Sequence, residues 1–316
     1  MREVKRPKLL AVGGAHVDRR GRISGIFVPG ASNPGVMAED VGGGVFNALR
    51  NAAQRGVEAS LMSVRGADSA GENVARAVAE AKIRDLSATF LDRATPSYTA
   101  LVDRDGEVIA GLADMQLYEL AFDKQLRRSK AREEAAAADA ILTDANLPAA
   151  ALARLADLAS GKPLFAIAIS PAKAVRLSGI LGDIACLFMN RREAASLSAT
   201  AEEAGAVALA ARLKELGLAA GVITAGSAAL TGFDRDGIFA TTPPAPATIA
   251  DATGAGDALA GVTVAAMMRG EPLRHALREG IAAAVLTVAN PLAVAPISDR
   301  ALADALAQVP EARAAG

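Results

Sequence analysis

The chain has no tryptophan, one cysteine, two histidines and only 3% aromatic residues in 316. Each shortage removes a class of function. With so few aromatic rings, a platform for stacking single-stranded nucleic acid is not expected. Cys186 alone excludes an internal disulfide framework and suits a reducing compartment, so the chain reads as cytoplasmic. One cysteine with His16 and His275 is too small a donor set for a structural zinc site. An excess of one charge sign is also lacking: the formal net charge is −1, so no global field recruits nucleic acid or an acidic membrane. The basic start, Met1–Lys8, leads into an apolar run that stops at Gly13, too short for a signal-peptide core. The most apolar late stretch, 281–297, is broken by Asn290, Pro291 and Pro296. Neither a membrane nor a nucleic acid is expected as partner.

Several catalytic signatures are missing too. The P-loop pattern fails because Gly161-Lys162 runs into Pro163 and lacks the upstream glycine. The protein-kinase H-R-D and D-F-G elements and the G-x-S-x-G elbow are absent. Gly13-Gly14 leads into Arg19-Arg20-Gly21 rather than a G-x-G-x-x-G helix start, which argues against a dinucleotide fingerprint.

What is present is a core and a rhythm. Hydrophobic residues make up 52% of the chain, ample for a large core, and 316 residues could by length hold two domains, though α/β folds of this size often form one. Leu9–Val12, Ile141–Thr143, Leu164–Ile169, Cys186–Met189 and the run from Gly221 read as buried strands separated by helices, the pattern of a parallel sheet. Ile23–Val28 reads as a strand leaving that core. Ser97–Ile109 alternates around Asp105-Gly106, a hairpin signal. Leu126–Ala140 reads as one exposed amphipathic helix without chemistry.

Asp251-Ala252-Thr253-Gly254-Ala255-Gly256-Asp257 precedes an alanine-rich run, after Pro243, Pro244 and Pro246. A loop becoming a helix start presents unpaired N–H groups, and small residues admit an anion. Asp257 would repel that anion unless it acts as a base on a hydroxyl attacking it. A plain helix start capped by Thr253 is the alternative. Gly42-Gly43-Gly44 lets a ligand lie against the backbone, and Asn47 can donate to and accept from vicinal hydroxyls. Asn190 and Glu193 stand three apart at a strand end, for a shared ligand or for capping.

D-x-T-G-A-G-D is similar to the signature of the ribokinase-like (PfkB) family of sugar and nucleoside kinases. The resemblance runs from Gly13 past Asp257 and implies a three-layer α/β/α sandwich with a mostly parallel central sheet. It implies one domain, 1–316, with a β lid formed by about 20–41 and 96–113. It casts Asp257 as base, and Gly254, Ala255 and Gly256 as anion hole. Asp18, Gly42, Gly43 and Asn47 would hold a sugar. Asn190 and Glu193 would organise hydrated magnesium near the phosphates. Thr224, Gly226, Thr253 and Asn290, with the 282–295 wall, would border ATP, although Ala229 stands where the family often has a second glycine. Asp251 and Thr253 would flank a monovalent cation such as potassium. Gly66-x-Asp68-x-x-Gly71 would shape a turn. Ser32-Asn33-Pro34-Gly35, Gly42-Gly43, Asn47 and Asn51 resemble the pseudouridine-kinase branch most, as do Asp114-Met115 and Asp144-Ala145-Asn146-Leu147-Pro148. On that branch Asn33, Tyr98, Asp114 and Asn146 would meet the nucleoside, phosphorylated at its 5′-hydroxyl. Ribose, a fructose-type sugar or another nucleoside is the alternative acceptor, and a silent sugar- or nucleotide-binding protein the alternative class. Lids of this kind leave open edges, so a homodimer is expected through them.

Overall fold

The computed structural model describes residues 6–315, so Met1–Lys5 of the basic start lie outside the described residues. A ten-stranded sheet forms the centre. Six neighbouring pairs are parallel, running from Gly221–Thr224 through Ile184–Asn190, Leu164–Ile167, Ala140–Asp144, Lys8–Val12 and Glu58–Met62 to Arg84–Asp85. Leu230–Asp234, Gly237–Thr241 and Arg313–Ala314 extend one side antiparallel. Parallel strands are covered on both faces, which is why they read as continuous apolar runs.

Successive side chains of one strand enter opposite cores. Leu9 and Ala11 pack with the helices Gly44–Ala53, Ala255–Met268 and Leu273–Val288, whereas Leu10 and Val12 pack with Gln116–Leu126 and Ala149–Leu158. Two apolar layers thus sandwich the sheet. No helix among the described residues is long and apolar enough to cross a membrane.

A second sheet of four strands, in the order Gly35–Gly42, His16–Ile23, Ser97–Val102 and Val108–Asp114, forms the lid. One boundary within it differs from expectation. The strand expected over Ile23–Val28 instead ends at Ile23, and a loop runs from there to Pro34. Ser24, Gly25, Pro29 and Gly30 break the extended chain there, and Ile26 is 83% exposed despite its apolar character. Asp105-Gly106 does form the hairpin, with Gly106 at φ 91°. Asp68 shapes the expected turn: its carboxylate caps the helix Ser69–Glu80 at Gly71 and also accepts from the Thr95 N–H.

Two other boundaries differ. Leu126–Ala140 is not one helix: Gln116–Leu126 ends, Arg128 turns extended, Ser129–Ala137 comes next, and Ala140 already belongs to the core sheet. The strand from Leu164 ends at Ile167, and Ile169 adopts a left-handed φ of 70°.

Candidate active site

A cavity of about 600 Å³ opens at the C-terminal ends of the parallel strands, between them and the lid. Asp257 stands on its wall, in the first turn of Ala255–Met268. The helix cap is Gly254 at φ 80°, not Thr253. Only glycine suits this position, since a Cβ there would collide with the Ala293 carbonyl. The Ala255 N–H turns to the Ala252 carbonyl at 3.3 Å. The N–H groups of Gly254 and Gly256 keep no backbone partner among the described residues and remain available to an anion.

Burial pushes the Asp257 carboxyl up to about 7, and the neighbouring charges of Asp144, Asp18 and Glu193 push the same way. Asn47 opposes them, its Nδ2 donating to Asp257 Oδ2 at 2.9 Å. A carboxylate held near neutrality is suited to take and return a proton.

Asp18 reaches the cavity from the lid strand, with Oδ1 3.4 Å from His16 Nε2. Gly42 lies against its other oxygen, so any side chain at 42 would displace it. Tyr98 stands beside Asp18 in register and lines the cavity, as do Gly43 and Asn47. His16 itself is buried, with Nδ1 3.2 Å from Tyr118 Oη.

Asn146 lines the cavity through a network that includes two residues assigned no role from sequence. Asp144 is fully buried and accepts from the Gly14 N–H at 3.2 Å, the Val45 N–H at 3.2 Å and Asn146 Nδ2 at 3.0 Å. Burial raises its pKa against those donors. Lys173 donates to Asn146 Oδ1 at 2.6 Å and also lines the cavity, its pKa lowered by burial. An acid ending an otherwise apolar strand was a usable signal for Asp144; a lone lysine gives none.

Asn190 and Glu193 form a complete capping box on the helix Arg191–Ser198. Asn190 Oδ1 accepts from the Glu193 N–H at 2.9 Å, and Glu193 Oε2 from the Asn190 N–H at 2.7 Å. Glu193 still lines the cavity, its pKa raised by burial. No group of three or more metal-binding side chains exists among the described residues. One spare carboxylate oxygen and an amide fit magnesium only as a partly hydrated ion.

Other expected contacts are not brought together. Asn33 serves its own loop, accepting from the Val28 N–H at 2.8 Å and donating to Val28 and Ala31 carbonyls, as asparagine does in turns. Asp114 is exposed at the end of its lid strand, and Ala113 and Met115 line the cavity instead. Asn290 accepts from the Leu292 N–H, shaping the loop behind Gly254, and no residue of 282–295 lines this cavity. Gly226 sits in an open turn outside it, while Thr224 lines it. At Asp251 and Thr253, expected to flank a monovalent cation, the structure places a lid arginine. Arg20 of the lid donates to Asp251 Oδ2 at 3.3 Å and Thr253 Oγ1 at 3.4 Å, and Asp251 Oδ1 takes the Thr253 N–H.

A family described as pfkB family carbohydrate kinase matches residues 6–300. Pseudouridine kinase from Escherichia coli (strain K12) is 27% identical over 279 residues, covering 85% of this chain and 87% of that one. A carbohydrate kinase from Agrobacterium tumefaciens is 44% identical with TM-score 0.86, covering 97% of this chain and 99% of that one. Arabidopsis thaliana ribokinase complexed with ribose and ATP superposes with TM-score 0.86 at 20% identity, covering 96% of this chain and 99% of that one. The last likeness establishes the ribokinase-like fold.

Proposed function

The chain belongs to the pfkB family of carbohydrate kinases, ATP-dependent phosphotransferases, and from that premise we propose that it phosphorylates pseudouridine at its 5′-hydroxyl. The observation that carries the chemistry is the Asp257 carboxyl, held near 7 beside the unpaired amides of Gly254 and Gly256. Asp257 takes the proton of the acceptor hydroxyl as its oxygen attacks the γ-phosphorus. The bond from that phosphorus to the β-bridging oxygen breaks, and ADP leaves. The two amides stabilise charge on the transferring group. Asn47 holds the base in place through Nδ2. Asp18 accepts from a second hydroxyl. Asn190 and Glu193 are the residues that would hold the waters of magnesium, which when bound offsets phosphate charge. Positioning supplies most of the rate, and the base about 10²–10⁴-fold.

Pseudouridine is favoured over a bare sugar by two considerations. One is the similarity to the Escherichia coli pseudouridine kinase. The other is Lys173 on the cavity wall, which spends one N–H on Asn146 Oδ1 and has further N–H groups that a uracil carbonyl would accept from. The protein is assigned to the cytoplasm, in keeping with its single, buried cysteine. A homodimer through the lid is supported by its outer face, where Met37 and Leu101 flank Gly21 on one rung and Leu112 stands two residues on. Met37 is 56% and Leu112 69% exposed.

The test is ATP consumption with pseudouridine, uridine, adenosine, ribose and fructose 6-phosphate side by side at fixed magnesium. The proposal predicts the highest kcat/KM for pseudouridine. A higher value for any other acceptor overturns the assignment of pseudouridine and leaves the kinase.

A further inference from the structure

The helix Gly44–Ala53, which carries Asn47, begins without a cap of its own. Gly43 stands at the cap position at φ 117° and has no side chain to offer, and the first turn holds no acidic residue. The missing acceptor comes from another strand. Asp144, at the end of Ala140–Asp144, takes the Val45 N–H on Oδ2 at 3.2 Å. A carboxylate there also faces the positive end of the helix.

The same carboxylate gathers two more segments. Its Oδ2 accepts from the Gly14 N–H at 3.2 Å, in the turn that leads to Asp18, and from Asn146 Nδ2 at 3.0 Å. Its Oδ1 accepts from the Asn146 N–H at 3.0 Å. All four partners are N–H donors, the arrangement that an ionised carboxylate needs and a protonated one would disturb. Burial disfavours that charge, and the four donors oppose the burial. Lys173 joins the set through the Asn146 amide, donating to its Oδ1 at 2.6 Å.

We propose that Asp144 is a positioning residue for the transfer: one buried carboxylate fixes the helix of Asn47, the turn before Asp18 and the amide of Asn146 relative to one another. Those three side chains come from separate segments and all line the cavity, whereas Asp144 is fully buried behind them and acts through them. Its negative charge also helps to hold the Asp257 carboxyl up. On the nucleotide side, Asn190, Thr224 and Gly254 stand on other elements. The role rests on the kinase reading of the cavity and not on which acceptor the cavity takes.

Asp144→Asn keeps the shape, removes the charge and leaves one acceptor oxygen where two now serve. It is assayed with whichever acceptor gives the highest kcat/KM, so the outcome is independent of the pseudouridine assignment. Acceptor KM rises roughly tenfold, the equivalent of one weakened charge-assisted hydrogen bond, while affinity for the β,γ-imido analogue of ATP stays within about twofold of wild type. A double-mutant cycle reads the route: with Asn47→Ala already in place, Asp144→Asn costs less in kcat/KM than it does alone, because the helix has lost part of what it positions. A wild-type acceptor KM in the folded variant, an analogue affinity that falls as far as KM rises, or strictly additive costs overturn the proposal. Where Asp144→Asn does not fold, Gly14→Ala carries the test. It keeps Asp144 and adds a methyl that would stand 2.7 Å from Asn146 Nδ2 and 3.4 Å from Asp144 Oδ2, parting the turn from both. The same split between acceptor KM and analogue affinity is expected, and a wild-type acceptor KM in this variant overturns the role.

Discussion

Asp257 combines two properties that work against each other in an ordinary surface carboxylate: it is desolvated, and it stands at the positive end of a helix. Burial wins and holds it near 7, which ties turnover to pH. Only the ionised form accepts a proton, so kcat/KM for the acceptor rises with pH and levels off above about 7. Asn47 donates to the ionised form, so Asn47→Ala removes a stabilising contact and moves that rise to higher pH. A pH–rate profile checks both, and a variant profile displaced to lower pH contradicts this role of Asn47. Asp257 and Asn47 were legible because each sits in a local pattern of small residues. Lys173 was not, since it acts through Asn146, a partner brought to it by the fold rather than by spacing, and Asp144 left a signal at its strand end but not its partners Gly14 and Val45. Asn33 misled because a turn asparagine satisfies itself with its own backbone.

At the scale of the element, the loop–helix junction at Gly254 is the most constrained feature of the site. Gly254→Ala demands a left-handed φ from a residue with a Cβ and drives that Cβ into the Ala293 carbonyl. The expected cost is on the order of 1–3 kcal/mol, read as a lower denaturation midpoint. Turnover falls with it by about 10²–10³-fold as one anion-hole donor is displaced. A variant of wild-type stability and activity would show that the junction tolerates another backbone path. The capping box of Asn190 and Glu193 shows how one pair serves two ends: it fixes a helix start and leaves a buried carboxylate facing the cavity. Both readings of that pair were open from the sequence, and the hydrogen bonds establish the cap. The lid strands were harder to read than the core strands. His-Val-Asp-Arg-Arg-Gly-Arg-Ile forms a strand although most of its side chains are polar, whereas the apolar Ile26-Phe27-Val28 that suggested one is an exposed loop. Hydrophobic periodicity marks strands that bury a face, and this sheet buries little.

On the scale of the whole molecule, the parallel core was legible because two-sided burial demands unbroken apolar strands, but the order of those strands was not written locally. That order brings Gly14, Asp144, Ile167, Asn190 and Thr224 to one edge, beneath the lid. Arg20 ties the lid to the loop before Gly254, so the two sheets meet at the chemistry. The lid's outer face exposes Met37 and Leu112 beside the Arg19–Glu39 ion pair, and its two edge strands are open, which leads to a prediction about assembly. Light scattering should give the mass of a dimer for the wild type and of a monomer for Met37→Glu. A dimer that survives this substitution places its interface elsewhere.

The central claim is that Asp257 is the base, and the most direct test replaces it by asparagine, which keeps the shape and removes the proton acceptor. ATP binding and ATP turnover are measured on the same preparation. If Asp257 is the base, ATP affinity stays near normal while turnover falls by about 10²–10⁴-fold. Turnover retained at the wild-type rate would contradict it.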